Sequence, residues 1–199
     1  MKHYRTFISL FICLVVCNWI MGQEKKNLNI VFIGNSITQG VILENPAHDA
    51  PPAKAALYLS KQPSVGSVKY ANRGVSGCTT VDYLPQTERL FPKAIVAADQ
   101  FKDETWATLL FSIMLGTNDS AITGPNGAPT SPAKYYENMK TIIDKLLALY
   151  PDCKIVVHRP VWYSPNTYNG AKYLEEGLIR LQSYYPELQS LVLDYSKRF

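Results

Sequence analysis

The chain holds 199 residues, of which 47% are hydrophobic, 12% aromatic and 18% charged. That length suits one domain and excludes a second of full size, and the composition excludes disordered and collagen-like chains. Twenty Lys and Arg against sixteen Asp and Glu give +4, yet no basic stripe forms, so nucleic acid is not an expected partner.

Residues 1–22 read as a secretory signal peptide. Lys2 and Arg5 make a positive start, residues 7–16 are apolar apart from Ser9, and Gly22 supplies a small residue at the cleavage point. The apolar stretch 7–21 is interrupted by Asn18 and falls short of the about 20 residues that span a membrane. Cys17 follows Val16, which is bulky where a lipoprotein site wants a small residue, so lipid anchoring ranks low. Without the leader, 18 basic residues face 16 acidic ones for a net +2. The expected product is one domain over 23–199, secreted or periplasmic and free of the membrane. Cys78 and Cys153 remain, as two small buried hydrophobes or as one disulfide. Neither Cys-x-x-Cys nor His-x-x-x-His occurs, so no metal site is expected.

In chain order, 28–33 (LNIVFI) is a branched apolar run that stops at Gly34, as a buried parallel strand does. A short helix is expected over 53–61 after Pro51-Pro52, and a short strand over 68–71 before NRGVSG. Residues 79–90 can form a helix that Pro85 bends or splits. The longest apolar run outside the leader, 106–115 (WATLLFSIML), reads as the central strand. Ser131-Pro132 then supplies an N-cap and a first-turn proline, and Tyr135, Met139, Ile142, Ile143, Leu146, Leu147 and Tyr150 share one helical face. Pro151 ends that helix, 154–158 (KIVVH) is a further strand, and 173–185 reads as helical. Alternating strands and helices, with strands buried on both faces, predict an α/β fold: a parallel sheet sandwiched between helical layers.

In such sheets ligands bind beyond the carboxyl ends of the strands. Three post-strand loops are informative there. Gly34-Asn35-Ser36-Ile37-Thr38 puts a hydroxyl on a tight strand-to-helix turn among backbone N–H groups, which suits a serine nucleophile. Asn72-Arg73-Gly74-Val75-Ser76-Gly77 has glycines that let backbone approach a substrate. Gly116-Thr117-Asn118-Asp119 places a side-chain amide at the same edge, a second source of donors for an oxyanion. Asp119 can accept a substrate hydroxyl or cap backbone N–H groups.

Taken in order, GNSIT, NRGVSG and GTND resemble the blocks of the SGNH/GDSL hydrolase family, and the resemblance spans about residues 29–185. GNSIT is similar to the branch that includes sialate and other carbohydrate O-acetylesterases. The resemblance implies a flavodoxin-like, three-layer fold and a serine esterase that needs no cofactor and takes a small-molecule or carbohydrate ester. In it Ser36 attacks the acyl carbonyl, while the Ser36 N–H, the Gly77 N–H and the Asn118 side chain stabilise the oxyanion. Gly74 shapes the loop. Cys78 and Asn35 stand where many members carry Asp.

The resemblance also implies a base, a His in a late Asp-x-x-His-Pro block, and no Asp-x-x-His occurs in the chain. The expectation is therefore that the last strand and its catalytic block lie beyond Phe199. Within the domain only His48 and His158 are present, and His158, at a strand end, is the better substitute. Trp162, Tyr163, Tyr168 and Tyr173 cluster late and suit a wall for sugar rings or a cap on the core. Three other readings stay open: a lysophospholipase or thioesterase, an inactive carbohydrate-binding relative, and a flavin-binding module.

Overall fold

A computed structural model describes residues 24–196; the leader expected over 1–22 lies outside them. The LNIVFI run forms β1 (Lys26–Gly34), flanked by β2 (Val65–Gly74) and β3 (Ala107–Met114), with β4 (Lys154–Val157) beyond β3. All pairings are parallel and the order is β2-β1-β3-β4. In register, Ala71, Val31, Phe111 and Ile155 line up across the sheet, followed two positions on by Ile33, Ile113 and Val157. Because strand side chains alternate, these residues share one face.

The helices are α1 (Ser36–Gln39), α2 (Pro46–Asp49), α3 (Pro51–Ser60), α4 (Phe91–Asp99), α5 (Pro132–Leu149) and α6 (Leu174–Ser196). The Val31/Phe111 face, with α4, α5 and α6, makes the main core, in which Ala94, Tyr135, Met139, Ile142, Leu181 and Tyr184 are fully buried. Tyr135 and Tyr184 stack at 4.2 Å between α5 and α6. On the other face Ile30, Ala50 and Ala56 are buried outside that core, where α3 rests on β2. The molecule is thus the expected α/β sandwich on a parallel sheet. Among the described residues no helix is long and apolar enough to cross a membrane.

Three expectations change. No α-helix forms over 79–90; two 3-10 turns, Val81–Tyr83 and Pro85–Thr87, stand there instead. Pro85 has no N–H to give a helical ladder, and the Asp82 carboxylate captures the Thr79 N–H at 2.9 Å. The helix comes later, as α4, with a proline in its first turn. α6 continues past the expected end at 185 to Ser196 with Pro186 inside it. An interior proline costs about 3 kcal/mol, and burying Leu188 and Leu191 beyond it, at about 1.5–3 kcal/mol each, offsets that. Finally, burial on both faces holds for β1 but not for β2 and β4, which have a single strand neighbour each among the described residues; Val156 is 42% exposed.

Candidate active site

Strand order reverses at β1: β2 lies on one side of it and β3 on the other. The loops after β1 and β3 diverge there, which opens a crevice at the carboxyl edge. Ser36 is the first residue of α1, two positions past the end of β1 at Gly34. Asn35 caps the helix, its Oδ1 accepting the Ile37 N–H at 3.0 Å, and Gly40 closes it by donating to the Ser36 carbonyl at 2.9 Å.

The NRGVSG block braces this turn. Gly74 lies against the α1 backbone, where a Cβ would meet the Gln39 nitrogen at 2.3 Å and the Asn35 carbonyl oxygen at 2.9 Å. Asn72 donates through Nδ2 to the Thr38 carbonyl at 2.8 Å and accepts the Gly74 N–H at 2.9 Å. The Ser76 N–H reaches Gln39 Oε1 at 2.7 Å. Gly74 therefore lets backbone approach backbone, not substrate. Gly77 is the open one: its φ is +75° and nothing lies within 4 Å of where a Cβ would sit. Neither the Ser36 nor the Gly77 N–H donates to another described group.

Two cavities meet at Ser36. One, of about 530 Å³, is polar and includes Ser36, Ser76, Gly77, Asp82, Arg89 and Asn126. The other, of about 440 Å³, is apolar and includes Ile37, Val41, Ile42, Leu43 and Pro51; Ile42 is 94% exposed. A separate apolar cavity of about 290 Å³ between β4, α5 and α6 contains no part of the three loop blocks.

Asn118 stands behind this wall, not on it, and is 4% exposed. Its Nδ2 donates to the Cys78 carbonyl at 2.7 Å and its Oδ1 accepts the Tyr173 hydroxyl at 2.6 Å. Those two bonds fix the amide's orientation and leave one N–H unused. Asp119 takes the capping role: it is fully buried, accepts the Thr80 N–H at 2.9 Å and bonds the Thr80 hydroxyl, which in turn accepts from Asn138 at 2.9 Å. Burial pushes its carboxyl up to about 6, against the lowering effect of the Thr80 bonds.

Cys78 also lines the polar cavity, but burial pushes its thiol up to about 12, and its Sγ donates to the Gly34 carbonyl at 3.2 Å. It is no rival nucleophile at neutral pH. Cys78 and Cys153 are both free and buried, so the unpaired reading holds.

Neither histidine is bonded to Ser36. His158 Nε2 lies 2.8 Å from Ser112 Oγ, in the middle of β3, and burial lowers its pKa. His48 Nδ1 lies 2.9 Å from Asp49 Oδ1 on the exposed α2. Of the late aromatics only Tyr173 reaches the polar cavity. Tyr163 packs edge-on against it at 5.2 Å and bonds Ser120, whereas Trp162 and Tyr168 are exposed elsewhere. Residues that the motif reading overlooked are Asp82, Arg89 and Asn126; they lie in segments with no motif, and only the folding of the 79–90 turns against the 124–126 loop brings them together.

The parallel 2-1-3-4 sheet has flavodoxin-like topology, with a hydroxyl at its switch point beside unclaimed N–H groups. The chain belongs to the GDSL-like Lipase/Acylhydrolase family, whose sequence profile matches residues 32–191. Membership makes it a carboxylic ester hydrolase by class. No curated protein matches the chain at a significant level. Solved structures of the same fold include AlinE4, described as a SGNH-hydrolase family esterase, at 20% identity and a TM-score of 0.54 over 88% of this chain and 75% of that one. A variant of Axe2, an acetyl xylan esterase from Geobacillus stearothermophilus, shares 18% identity at 0.55 over 86% and 75%. Est24, a carbohydrate acetylesterase from Sinorhizobium meliloti, shares 19% at 0.57 over 85% and 81%.

Proposed function

We propose that the chain is exported by its leader and removes short acyl groups, O-acetyl groups first, from carbohydrates. Ser36 Oγ gives up its proton and attacks the acyl carbon, the carbonyl π electrons move onto oxygen, and the tetrahedral intermediate collapses as the C–O bond to the sugar breaks and the alkoxide takes up that proton; water then attacks the acyl-Ser36 ester, releasing the free acid and returning a proton to Ser36 Oγ. The Ser36 N–H and the Gly77 N–H receive the oxyanion, and Asn118, expected as a third donor but buried behind the wall, holds the Cys78 carbonyl next to Gly77. One such donor is worth about 2.7–4 kcal/mol of barrier. The observation that carries this reading is Ser36 at the head of α1, on one cavity wall with Gly77, with both N–H groups unclaimed. Support for the sugar half comes from the polar cavity on one side of Ser36 and from the two acetylesterases of the same fold. Attack also needs an acceptor for the Ser36 proton; His48 and His158 are bonded elsewhere, and the role is assigned to neither.

The test is acetate release from 4-nitrophenyl acetate by residues 23–199 and by a Ser36→Ala variant. Turnover lost in the variant is the expected result, and turnover retained overturns the assignment of Ser36. A second reading, a longer-chain acyl hydrolase, is favoured by one observation: the apolar cavity of about 440 Å³ beside Ser36 exceeds what an acetyl group fills. A series of 4-nitrophenyl esters separates the two, since rates that peak at acetate support the first and rates that climb with chain length the second.

A further inference from the structure

The polar cavity at Ser36 contains an ion pair that the ester chemistry does not use. Arg89 Nη1 lies 2.7 Å from Asp82 Oδ1; the Asp82 side chain is 5% exposed and that of Arg89 55%. The carboxylate is engaged from within, accepting from Asn126 Nδ2 at 2.9 Å and from the Thr79 N–H at 2.9 Å. Both groups line the cavity, but the cation is far the more exposed of the two, so it offers a ligand the larger accessible face. A guanidinium carries five N–H donors in a rigid fork that matches a carboxylate. One nitrogen is committed to Asp82, and Nε and Nη2 have no partner among the described residues. Asp82 already ties Thr79 to Asn126 without help, so holding the turn together does not require Arg89. Its anchorage does keep the fork ordered, which reduces the side-chain entropy lost when a ligand binds.

We infer that this cavity selects acidic sugars: a substrate carboxylate docks on the free edge of Arg89 while the ester lies at Ser36. The catalytic half of that statement rests on the esterase reading above; the binding half stands apart from it. One charge-assisted hydrogen bond corresponds to about tenfold or more in affinity.

The experiment is an NMR titration of residues 23–199 with methyl α-glucuronoside and with methyl α-glucoside, which lacks only the carboxylate. The glucuronoside binds about tenfold more tightly, Arg89→Gln brings it to the level of the glucoside, and Ser36→Ala leaves the preference intact. Arg89→Lys, which keeps the charge without the fork, retains part of the preference and serves where Arg89→Gln does not fold. Equal binding of the two sugars, binding of neither, or a preference that survives Arg89→Gln overturns the inference. Preference without turnover counts against the esterase reading alone; turnover without preference counts against the acidic-sugar site alone.

Discussion

Replacing Gly74 by Ala adds one methyl group where the end of β2 touches the backbone of α1. The new Cβ would lie 2.3 Å from the Gln39 nitrogen, 2.8 Å from the Thr38 carbonyl carbon and 2.9 Å from the Asn35 carbonyl oxygen. Ordinary contact begins at 3.4 Å, so the two segments must part by about 1 Å (3.4 less 2.3). All three atoms are main chain, and no rotamer change relieves the overlap. The strand end cannot simply retreat, because Gly74 pairs with Gly34 and Asn72 ties it to Thr38. Overpacking of this kind costs about 1–3 kcal/mol, which in a chain of this size lowers Tm by about 2–12 °C. Misplacing a reacting group by about 1 Å costs on the order of 100-fold in rate. Hydrolysis of 4-nitrophenyl acetate, measured beside thermal unfolding, should show a folded Gly74→Ala protein with kcat/KM down by about that factor. Gly77→Ala is the control: its methyl meets nothing, its positive φ costs about 1–2 kcal/mol, and its N–H remains. A Gly74→Ala rate within about threefold of the parent, at any Tm, refutes the claim that β2 positions Ser36.

Asp119 predicts a pH effect on stability. Its folded pKa is raised from 3.8 to about 6, so the folded chain keeps a proton that the unfolded chain releases, and this contribution falls as pH rises from about 4 to about 6. Two pH units at about 1.4 kcal/mol each give about 3 kcal/mol; urea unfolding of the parent and of Asp119→Asn should differ in slope through that window, and identical slopes refute the assignment. Tyr173→Phe removes the donor to buried Asn118 Oδ1, with an expected loss of about 1–3 kcal/mol in stability and a fall in kcat at unchanged KM; a kcat equal to the parent's shows that the Asn118 amide holds its orientation unaided. His158→Gln should leave turnover unchanged, because its imidazole is bonded to Ser112 and not to Ser36; a rate loss of tenfold or more would make it the missing base.

Elements that carry their own signal were legible. β1 and β3 are apolar runs cut off by Gly34 and by Gly116, and α5 begins where Ser131 accepts the Lys134 N–H at 3.3 Å and buries the expected face from Tyr135 to Leu146. α4 gives little local signal, because FPKAIVAAD is apolar on most sides and because Asp82 diverts the preceding segment into turns. The end of α6 is not legible, because Pro186 is a local stop signal that the burial of Leu188 and Leu191 overrules.

The candidate site divides along the same physical line. Ser36 and Gly77 reach one wall because loops that follow parallel strands all emerge at the same edge, so their position in the chain order was enough to place them. Position in the chain puts Asn118 at that edge but says nothing of its depth: its burial behind Cys78 and Tyr173 follows from contacts 40 and 55 positions away. Arg89 carries no local signal, since an arginine in a turn is ordinarily a solvated charge. Its pairing arises only when the fold buries Asp82, pins that carboxylate with Asn126 from 44 positions on, and sets Arg89 in the same cavity lining as Ser36. Loop order thus locates Ser36 and Gly77 at the carboxyl edge of the sheet, whereas the cluster of Asp82, Arg89 and Asn126 is set by packing between segments far apart in the chain.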